Sequence, residues 1–283
     1  MKSAPRVPVL KTYKQFIGGA FPRSESGRSF VLEDAKGRPI ANVCQGSRKD
    51  FRDAAVKARA ALEDWSARSG YNRAQILYRL AELVEGRSDQ LVAELKQQGA
   101  TAAAARTEVE RTTDLLIYYA GWGDKYQQIF STVNPVASPH FVFSVPEPAG
   151  VVALIAPDEG ALLGLVAALC PIVVGGNAVI ALASESKPLS SITFSEVCAA
   201  GDVPPGVINI LTGFRKELLP HIAGHMDVNA VVYCGDDPSE RKTVETEASR
   251  NVKRVIVTGA GGEDPYRIME TQEVKTTWHP VGF

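Results

Sequence analysis

The sequence of 283 residues has few features that mark secreted, metal-binding or nucleic-acid-binding proteins. Its four cysteines, Cys44, Cys170, Cys198 and Cys234, lie far apart without a C-x-x-C pair, which argues against a disulfide framework or a zinc motif. The 31 basic and 32 acidic residues leave a formal charge of -1, so no overall field favours nucleic acid or an anionic membrane. We therefore expect reduced thiols, no nucleic-acid partner and a function carried by local sites.

No long uninterrupted apolar run is present either. The most apolar stretch, 151–182, is broken by Pro157, Asp158, Glu159 and by Gly175-Gly176-Asn177, which a membrane-spanning helix does not tolerate. The first residues carry positive charges but no apolar segment follows them, so no secretory signal is predicted. These absences predict a cytoplasmic protein with no membrane partner. The hydrophobic share of 45% is sufficient for a large buried core.

The histidines do not predict a metal site. Only His221 and His225 share the i, i+4 spacing that places two ligands on one helix face, and no glutamate stands at the H-E-x-x-H position between them. Gly224 also suggests that the helix ends there.

Apolar periodicity changes once along the chain. Residues 11–50 predict short strands, and 50–130 predict amphipathic helices, with Asn72 as an N-cap and one helix over 102–130. From Gly150 onward, five short apolar runs alternate with helices, among them a helix over Ala161–Val174. Because each crossover between parallel strands needs a helix, this pattern predicts a doubly wound, Rossmann-like α/β sheet covered on both faces.

Several motifs, in order and spacing, resemble the aldehyde dehydrogenase superfamily: Tyr118-Tyr-Ala-Gly-Trp-Gly-Asp-Lys, the run Glu147 to Pro157, the run Pro204 to Gly213, and Glu273-Val-Lys-Thr. The resemblance implies a discontinuous nucleotide-binding domain, 1–130 with 150–265, and a β-ribbon for oligomerisation, 131–149 with 266–283. The oligomerisation residues it implies are Phe141, Phe143, Val145, Glu273, Val274, Lys275, Thr276 and Trp278. We expect the last strand to pair with the 140–145 segment.

In that family, a cysteine attacks the aldehyde, an asparagine holds the oxyanion, a glutamate activates water and NAD(P) accepts hydride. Here Glu159 replaces the asparagine of the P-W-N-F-P-L motif. A carboxylate repels the developing oxyanion, whereas the asparagine amide stabilises it by about 3 kcal/mol. The alternative is that Asp158 and Glu159 cap the helix that starts at Gly160. Thr258 stands at the position where the family has its general-base glutamate.

The positions that the resemblance implies for the cofactor are degenerate. Leu182 replaces the ribose-binding lysine of K-P-S-E, while Glu185 remains, either as a ribose ligand or as a capping acid. Only Gly235 of F-T-G-S survives, and the acids at 236, 237 and 240 occupy the place of a phosphate. The vestigial cofactor positions are Ile155, Ala156, Pro157, Leu182, Ser184, Glu185, Gly213, Gly235 and Asp236. We expect no required cofactor, and weak or absent NAD(P) binding.

The segment that carries the nucleophile in the family has no counterpart, because the chain passes from Pro265 to the last strand. Cys234 is the one cysteine beside the predicted cleft, and the neighbouring acids oppose its thiolate. The chain therefore resembles the non-catalytic second module of two-module aldehyde dehydrogenases, without a catalytic domain. The predicted partner is a full-length aldehyde dehydrogenase, or the chain itself. The alternatives are an NAD(P)-dependent aldehyde oxidoreductase component or a nucleotide-sensing module.

Overall fold

The computed structural model describes residues 9–259 and 261–282, in which helices and strands form an α/β fold. A small sheet comes first, with β1 at Thr12–Tyr13, β2 at Ser29–Glu33 and β3 at Pro39–Cys44. The helices that follow are α1 Arg48–Ala67, α2 Gly70–Gly86, α3 Ser88–Gln97, α4 Ala102–Ala120 and α5 Tyr126–Phe130, and the ribbon strands β4 and β5 are Thr132–Val133 and His140–Pro148. The parallel part comprises β6 Val151–Ile155, α6 Ala161–Val174, β7 Ala178–Leu182, α7 Leu189–Ala200, β8 Ile208–Leu211, α8 Arg215–Ala223, β9 Ala230–Tyr233, α9 Pro238–Ser249 and β10 Arg254–Val257. It is followed by α10 Tyr266–Glu270 and β11 Gln272–Pro280.

The central sheet has five parallel strands in the order β10-β9-β6-β7-β8, which confirms the predicted doubly wound architecture. Every residue of β6 and β7 is buried, as expected for a sheet covered on both faces. Alternate residues of β6 belong to two different cores: Val152 and Leu154 pack with α6 and α7, whereas Val151 and Ala153 pack with α1 and α8. Strand order reverses between β6 and β9, which creates a crevice at their carboxyl ends.

Two helix predictions were wrong in detail. The N-cap of α2 is Ser69, whose hydroxyl accepts a hydrogen bond from the Asn72 amide, so Asn72 lies within the first turn. The helix predicted over 102–130 is two helices, because the chain turns at Gly121–Lys125 and packs against the start of α2. A side chain at Gly70 would overlap the carbonyl oxygen of Gly123, so this approach requires glycine.

The C-terminal strand β11 pairs antiparallel with β5 along its whole length, from Gln272 opposite Pro148 to Pro280 opposite His140, as predicted. Its base is fixed to the parallel part by two side chains. The buried Asn177 amide donates to the backbone oxygens of Ile172 and Thr271, and Arg254 donates to the Gln272 carbonyl at 2.7 Å. Helix α10, which precedes β11, was not predicted.

In the described residues, no helix combines the length and the apolar character that crossing a membrane requires.

Candidate functional site

The crevice at the carboxyl ends of β6 and β9 is the candidate site, because doubly wound folds bind ligands at this switch point. It has a volume of about 560 Å³. Its lining residues come from the loops after β6, β7, β8 and β9: Asp158, Glu159, Glu185, Ser186, Phe214, Arg215, Cys234, Gly235, Asp236, Asp237 and Glu240. Six of these residues are acidic and one is basic, so the lining is strongly negative.

The single basic residue of the lining, Arg215, bridges both walls of the crevice. Its Nη2 donates to the Ala156 carbonyl at 2.5 Å, and its Nη1 lies 3.0 Å from an Asp158 oxygen, on the β6 side. The same Nη1 lies 3.6 Å from a carboxylate oxygen of Glu240 in α9, on the β9 side. The Arg215 side chain is only 9% exposed. A guanidinium of the protein therefore lines the crevice and pairs with a carboxylate on each wall.

Asp158 joins two loops and does not cap α6. Its Oδ1 accepts from the Ser184 hydroxyl at 2.7 Å and from the Glu185 amide at 3.0 Å. The capping interpretation of Asp158 and Glu159 was wrong, since Gly160 is the N-cap of α6 and no side chain caps from that position. The Oε1 atom of Glu108, in α4, instead accepts from the amides of the first turn of α6 at 2.9 and 3.2 Å.

Glu159 projects into solvent, with its side chain 93% exposed, and lies 3.5 Å from Lys187. Glu185, the other acid of uncertain role, accepts a hydrogen bond from the Arg215 backbone amide at 2.8 Å. That contact caps the first residue of α8, so the carboxylate acts in the capping role.

The nine predicted cofactor positions all lie at the carboxyl edge of the sheet. Ile155, Ala156 and Pro157 end β6; Leu182, Ser184 and Glu185 end β7; Gly213 follows β8; and Gly235 and Asp236 follow β9. Fold topology thus brings them together, although six of the nine are buried: Ile155, Ala156, Pro157, Leu182, Ser184 and Gly213. Asp237 accepts from the Ser239 and Glu240 amides as the N-cap of α9, so a carboxylate already uses the amides that a phosphate would bind.

The four cysteines are the candidate nucleophiles of the chain. All four are buried and unpaired. Burial raises the pKa of the Cys234 thiol, beside the crevice, to about 12, an effect that the nearby Arg267 guanidinium only partly offsets. Burial also raises the pKa values of Cys170 and Cys198 far above their usual range. Burial, more than the neighbouring acids of α9, therefore keeps Cys234 protonated.

Thr258, at the position of the family's general base, has a hydroxyl and no carboxylate. Its Oγ1 accepts a hydrogen bond from Nη2 of Arg267, a residue that is 7% exposed. A hydroxyl that already binds a guanidinium is a poor proton acceptor. Within 9–259 and 261–282, no three His, Cys, Asp or Glu side chains converge in a way that could hold a metal ion.

The predicted oligomerisation residues divide between the two faces of the ribbon. Phe141, Phe143 and Val145 share one face with Lys275, as the cross-strand register requires. Val274, Thr276 and Trp278 lie on the other face, where Thr276 and Ser144 exchange a 2.8 Å hydrogen bond. Val274 and Trp278 are 60% and 57% exposed. Glu273, at the base, pairs with Arg254 at 2.8 Å.

Sequence reasoning missed Arg215, as it missed Glu108. A long basic side chain directly after the β8 turn, at Phe214-Arg215, was the available signal, since the first residue after that turn faces the carboxyl edge of the sheet. Its partners stand 57 residues before it and 25 after it, at Asp158 and Glu240. No local pattern connects positions so far apart.

Comparisons with known proteins agree with this geometry. The model of the aldehyde dehydrogenase family matches residues 21–281. The chain is 32% identical to a mitochondrial benzaldehyde dehydrogenase of Antirrhinum majus, over 94% of this chain and 50% of that protein. It is 31% identical to aldehyde dehydrogenase family 2 member B4 of Arabidopsis thaliana, over 95% of this chain and 50% of that protein.

Among solved structures, an NAD+ complex of an aldehyde dehydrogenase from Bacillus cereus has a TM-score of 0.82 at 25% identity, over 87% of this chain and 50% of that one. The chain spans about half the length of the curated relatives it matches. With a family model that covers most of its sequence and a matching fold, this chain belongs to the aldehyde dehydrogenase family.

Proposed function

We propose that this chain is a non-catalytic, aldehyde-dehydrogenase-like subunit that acts as an assembly partner of a full-length aldehyde dehydrogenase. The observation that carries the non-catalytic part is the crevice, where Arg215 bridges Asp158 and Glu240 in the place of a nucleotide. The assembly part is supported by β11, whose outer edge pairs with no strand among the described residues.

The chemistry of the crevice is poorly suited to aldehyde oxidation. A thiol with a pKa of about 12 at Cys234 is almost wholly protonated at pH 7, and the thiolate is the attacking species. Glu159 offers no donor for an oxyanion, since its side chain is 93% exposed and lies 3.5 Å from Lys187, and Thr258 offers no general base. Three of the steps that the family needs therefore lack a suitable group.

The same crevice is poorly suited to NAD(P). A pyrophosphate would meet the carboxylates of Asp236 and Asp237 at the start of α9, and it would have to displace the ion pair between Arg215 and Asp158. Like charges within a few ångströms oppose binding. We infer that no cofactor is required and that any NAD(P) binding is weak.

The register of the β5–β11 pairing determines which backbone groups point outward from the free edge of β11. At the two ends of the β5–β11 pairing, the Ala149 amide donates to the Thr271 carbonyl and the Val281 amide donates to the Pro139 carbonyl. Because antiparallel pairs alternate, the odd-numbered residues of β11 bond to β5 and the even-numbered residues point their amides outward. Val274, Thr276 and Trp278 thus present the unpaired backbone groups that a partner strand could bond.

Co-expression with full-length aldehyde dehydrogenases, followed by size exclusion with mass determination, tests the assembly role. Val274→Pro removes one outward amide and leaves the β5 pairing intact, whereas Val274→Ala keeps that amide and serves as the matched control. We expect a stable heteromer with the unsubstituted chain and with Val274→Ala, and loss of the complex with Val274→Pro. The proposal is contradicted if the chain forms no complex with any such enzyme, or if the complex still forms with Val274→Pro.

Two further measurements separate the alternatives. Aldehyde-dependent NAD(P)H formation by the purified chain alone would support an oxidoreductase component. Saturable binding of NAD+ in calorimetry, without turnover, would support a nucleotide-sensing module. We expect neither result.

A further inference from the structure

A second cavity, of about 450 Å³, lies where the start of α2, α5 and the base of the ribbon meet. Its lining comes from the α1–α2 junction, α5 and the end of β5: Leu62, Ser66, Ala67, Arg68, Ser69, Gly70, Arg73, Tyr126, Gln127, Pro146, Glu147 and Pro148. We call it the Arg68–Arg73 cavity. It shares no lining residue with the crevice at the sheet edge.

Arg73 is a buried guanidinium without a counterion. It is 4% exposed, and no carboxylate of the described residues forms an ion pair with it. Four of its five N–H groups donate, to the carbonyls of Val174, Ser66 and Arg68 at 2.9, 3.3 and 2.6 Å and to the Tyr126 hydroxyl at 3.3 Å. The fifth, on Nη2, has no acceptor. A buried charge of this kind is costly unless an opposite charge approaches it, and burial lowers the pKa of Arg73 accordingly.

Arg68 adds a second positive group to the same lining. Its Nη1 donates to the Asn72 amide oxygen at 3.0 Å, and its guanidinium lies 5.8 Å from the centre of the Trp65 ring. It too has no ion-pair partner among the described residues, so its other N–H groups remain for a ligand.

Helix α2 begins at this cavity. Ser69 accepts from the Asn72 amide, and the first turn has no acidic residue that could bind the preceding amides. The amides of Gly70 and Tyr71 have no partner within the helix, and the helix dipole makes this end positive. A helix of 17 residues supplies this dipole in full.

The lining contains one acid, and its charge is already neutralised. Glu147 Oε2 lies 2.6 Å from the Lys275 Nζ atom at the ribbon surface. Arg68 and Arg73 therefore line the cavity without a carboxylate partner among the described residues, close to the first-turn amides of α2. Small oxyanions of tetrahedral shape combine negative charge with several acceptor oxygens, which matches this set of donors.

We propose that the Arg68–Arg73 cavity binds a small oxyanion of the phosphate type, held by Arg68, by the unused N–H of Arg73 and by the first-turn amides of α2. The site is separate from the proposed assembly role and does not depend on it. Because Pro146 and Glu147 belong to the ribbon, a bound anion would link the start of α2 to the base of that ribbon.

The experiment titrates the full chain with inorganic phosphate at constant ionic strength, balanced with sodium chloride, by calorimetry and by backbone amide NMR. We expect saturable one-to-one binding with shifts centred on the Gly70 and Tyr71 amides. Arg68→Gln should weaken the phosphate affinity at least about tenfold, because it removes a charge-assisted contact. Arg79→Gln is the matched control, since Arg79 lies on α2 outside the cavity lining, is 49% exposed and already pairs with Glu82 at 2.7 Å.

Unchanged affinity in Arg79→Gln together with the loss in Arg68→Gln supports the site. The absence of saturable binding, or equal affinity in Arg68→Gln and the unsubstituted chain, overturns it. Amide shifts that are confined to other surfaces overturn it as well, because they place the phosphate elsewhere.

Discussion

Arg215 and Arg73 are buried to nearly the same extent, 7% and 4% exposed, but their surroundings are opposite. Arg215 lies between the carboxylates of Asp158 and Glu240, so the protein itself supplies the counterions of this guanidinium. Arg73 binds carbonyl oxygens and a tyrosine hydroxyl, with no carboxylate among the described residues within ion-pair distance. A buried cation closes a site when the protein supplies the anion, and it leaves the site open to an external anion when the protein does not.

The largest expected effect comes from removing the Arg215 guanidinium. Arg215→Met leaves the Asp158 and Glu240 carboxylates facing each other without their shared guanidinium. We expect the free energy of unfolding to fall by about 2 kcal/mol, because the carboxylates left behind are partly buried, at 38% and 22% exposure, and solvent screens part of their charge. Urea unfolding with a fluorescence readout measures the change.

A double variant distinguishes the lost ion pair from lost packing. Glu240→Gln in the Arg215→Met background removes one stranded charge, so part of the lost stability should return. The double variant has to be more stable than Arg215→Met alone. Equal stability of the two would mean that Arg215 acts through packing, and the contrast with Arg73 would then lose its electrostatic basis.

Thiol reactivity gives the next largest effect. All four cysteines are buried, and the pKa of Cys234 is raised to about 12, so alkylation by iodoacetamide at pH 8 should be slow for the native chain and rapid in urea. Mass spectrometry of the alkylated chain reads out each site. Rapid native modification of Cys234 would show an accessible thiolate beside the crevice, and the non-catalytic account would be contradicted.

The smallest expected effect concerns a third buried charge, Glu94, which accepts hydrogen bonds from Tyr13 and Thr193. Burial raises the pKa of Glu94, so its charged form destabilises the native state at neutral pH. As the pH falls through the native pKa, the carboxyl becomes protonated and this cost disappears, so the native state gains stability relative to Glu94→Gln. Unfolding curves of both proteins between pH 4 and 7 test the direction of this change in stability. Parallel profiles of stability against pH would contradict the prediction.

Local patterns predicted the architecture well and the side-chain network poorly. The apolar runs at β6 and β7 and the helix over Ala161–Val174 follow directly from periodicity and length, because burial on both faces leaves a clear signal. The turn at Gly121–Lys125 was missed, because no local sequence pattern distinguishes a glycine that allows two helices to approach closely. Glu108, which caps α6 from another helix, and Arg215 were missed for the same reason: both act on residues distant in sequence.

A calorimetric titration of the purified chain with NAD+ is the decisive experiment, because Arg215 and the acids at the start of α9 line the crevice that a nucleotide would enter. We predict no saturable heat at millimolar NAD+. Saturable one-to-one binding in the micromolar range would show that the crevice accepts the nucleotide, and the account would be contradicted.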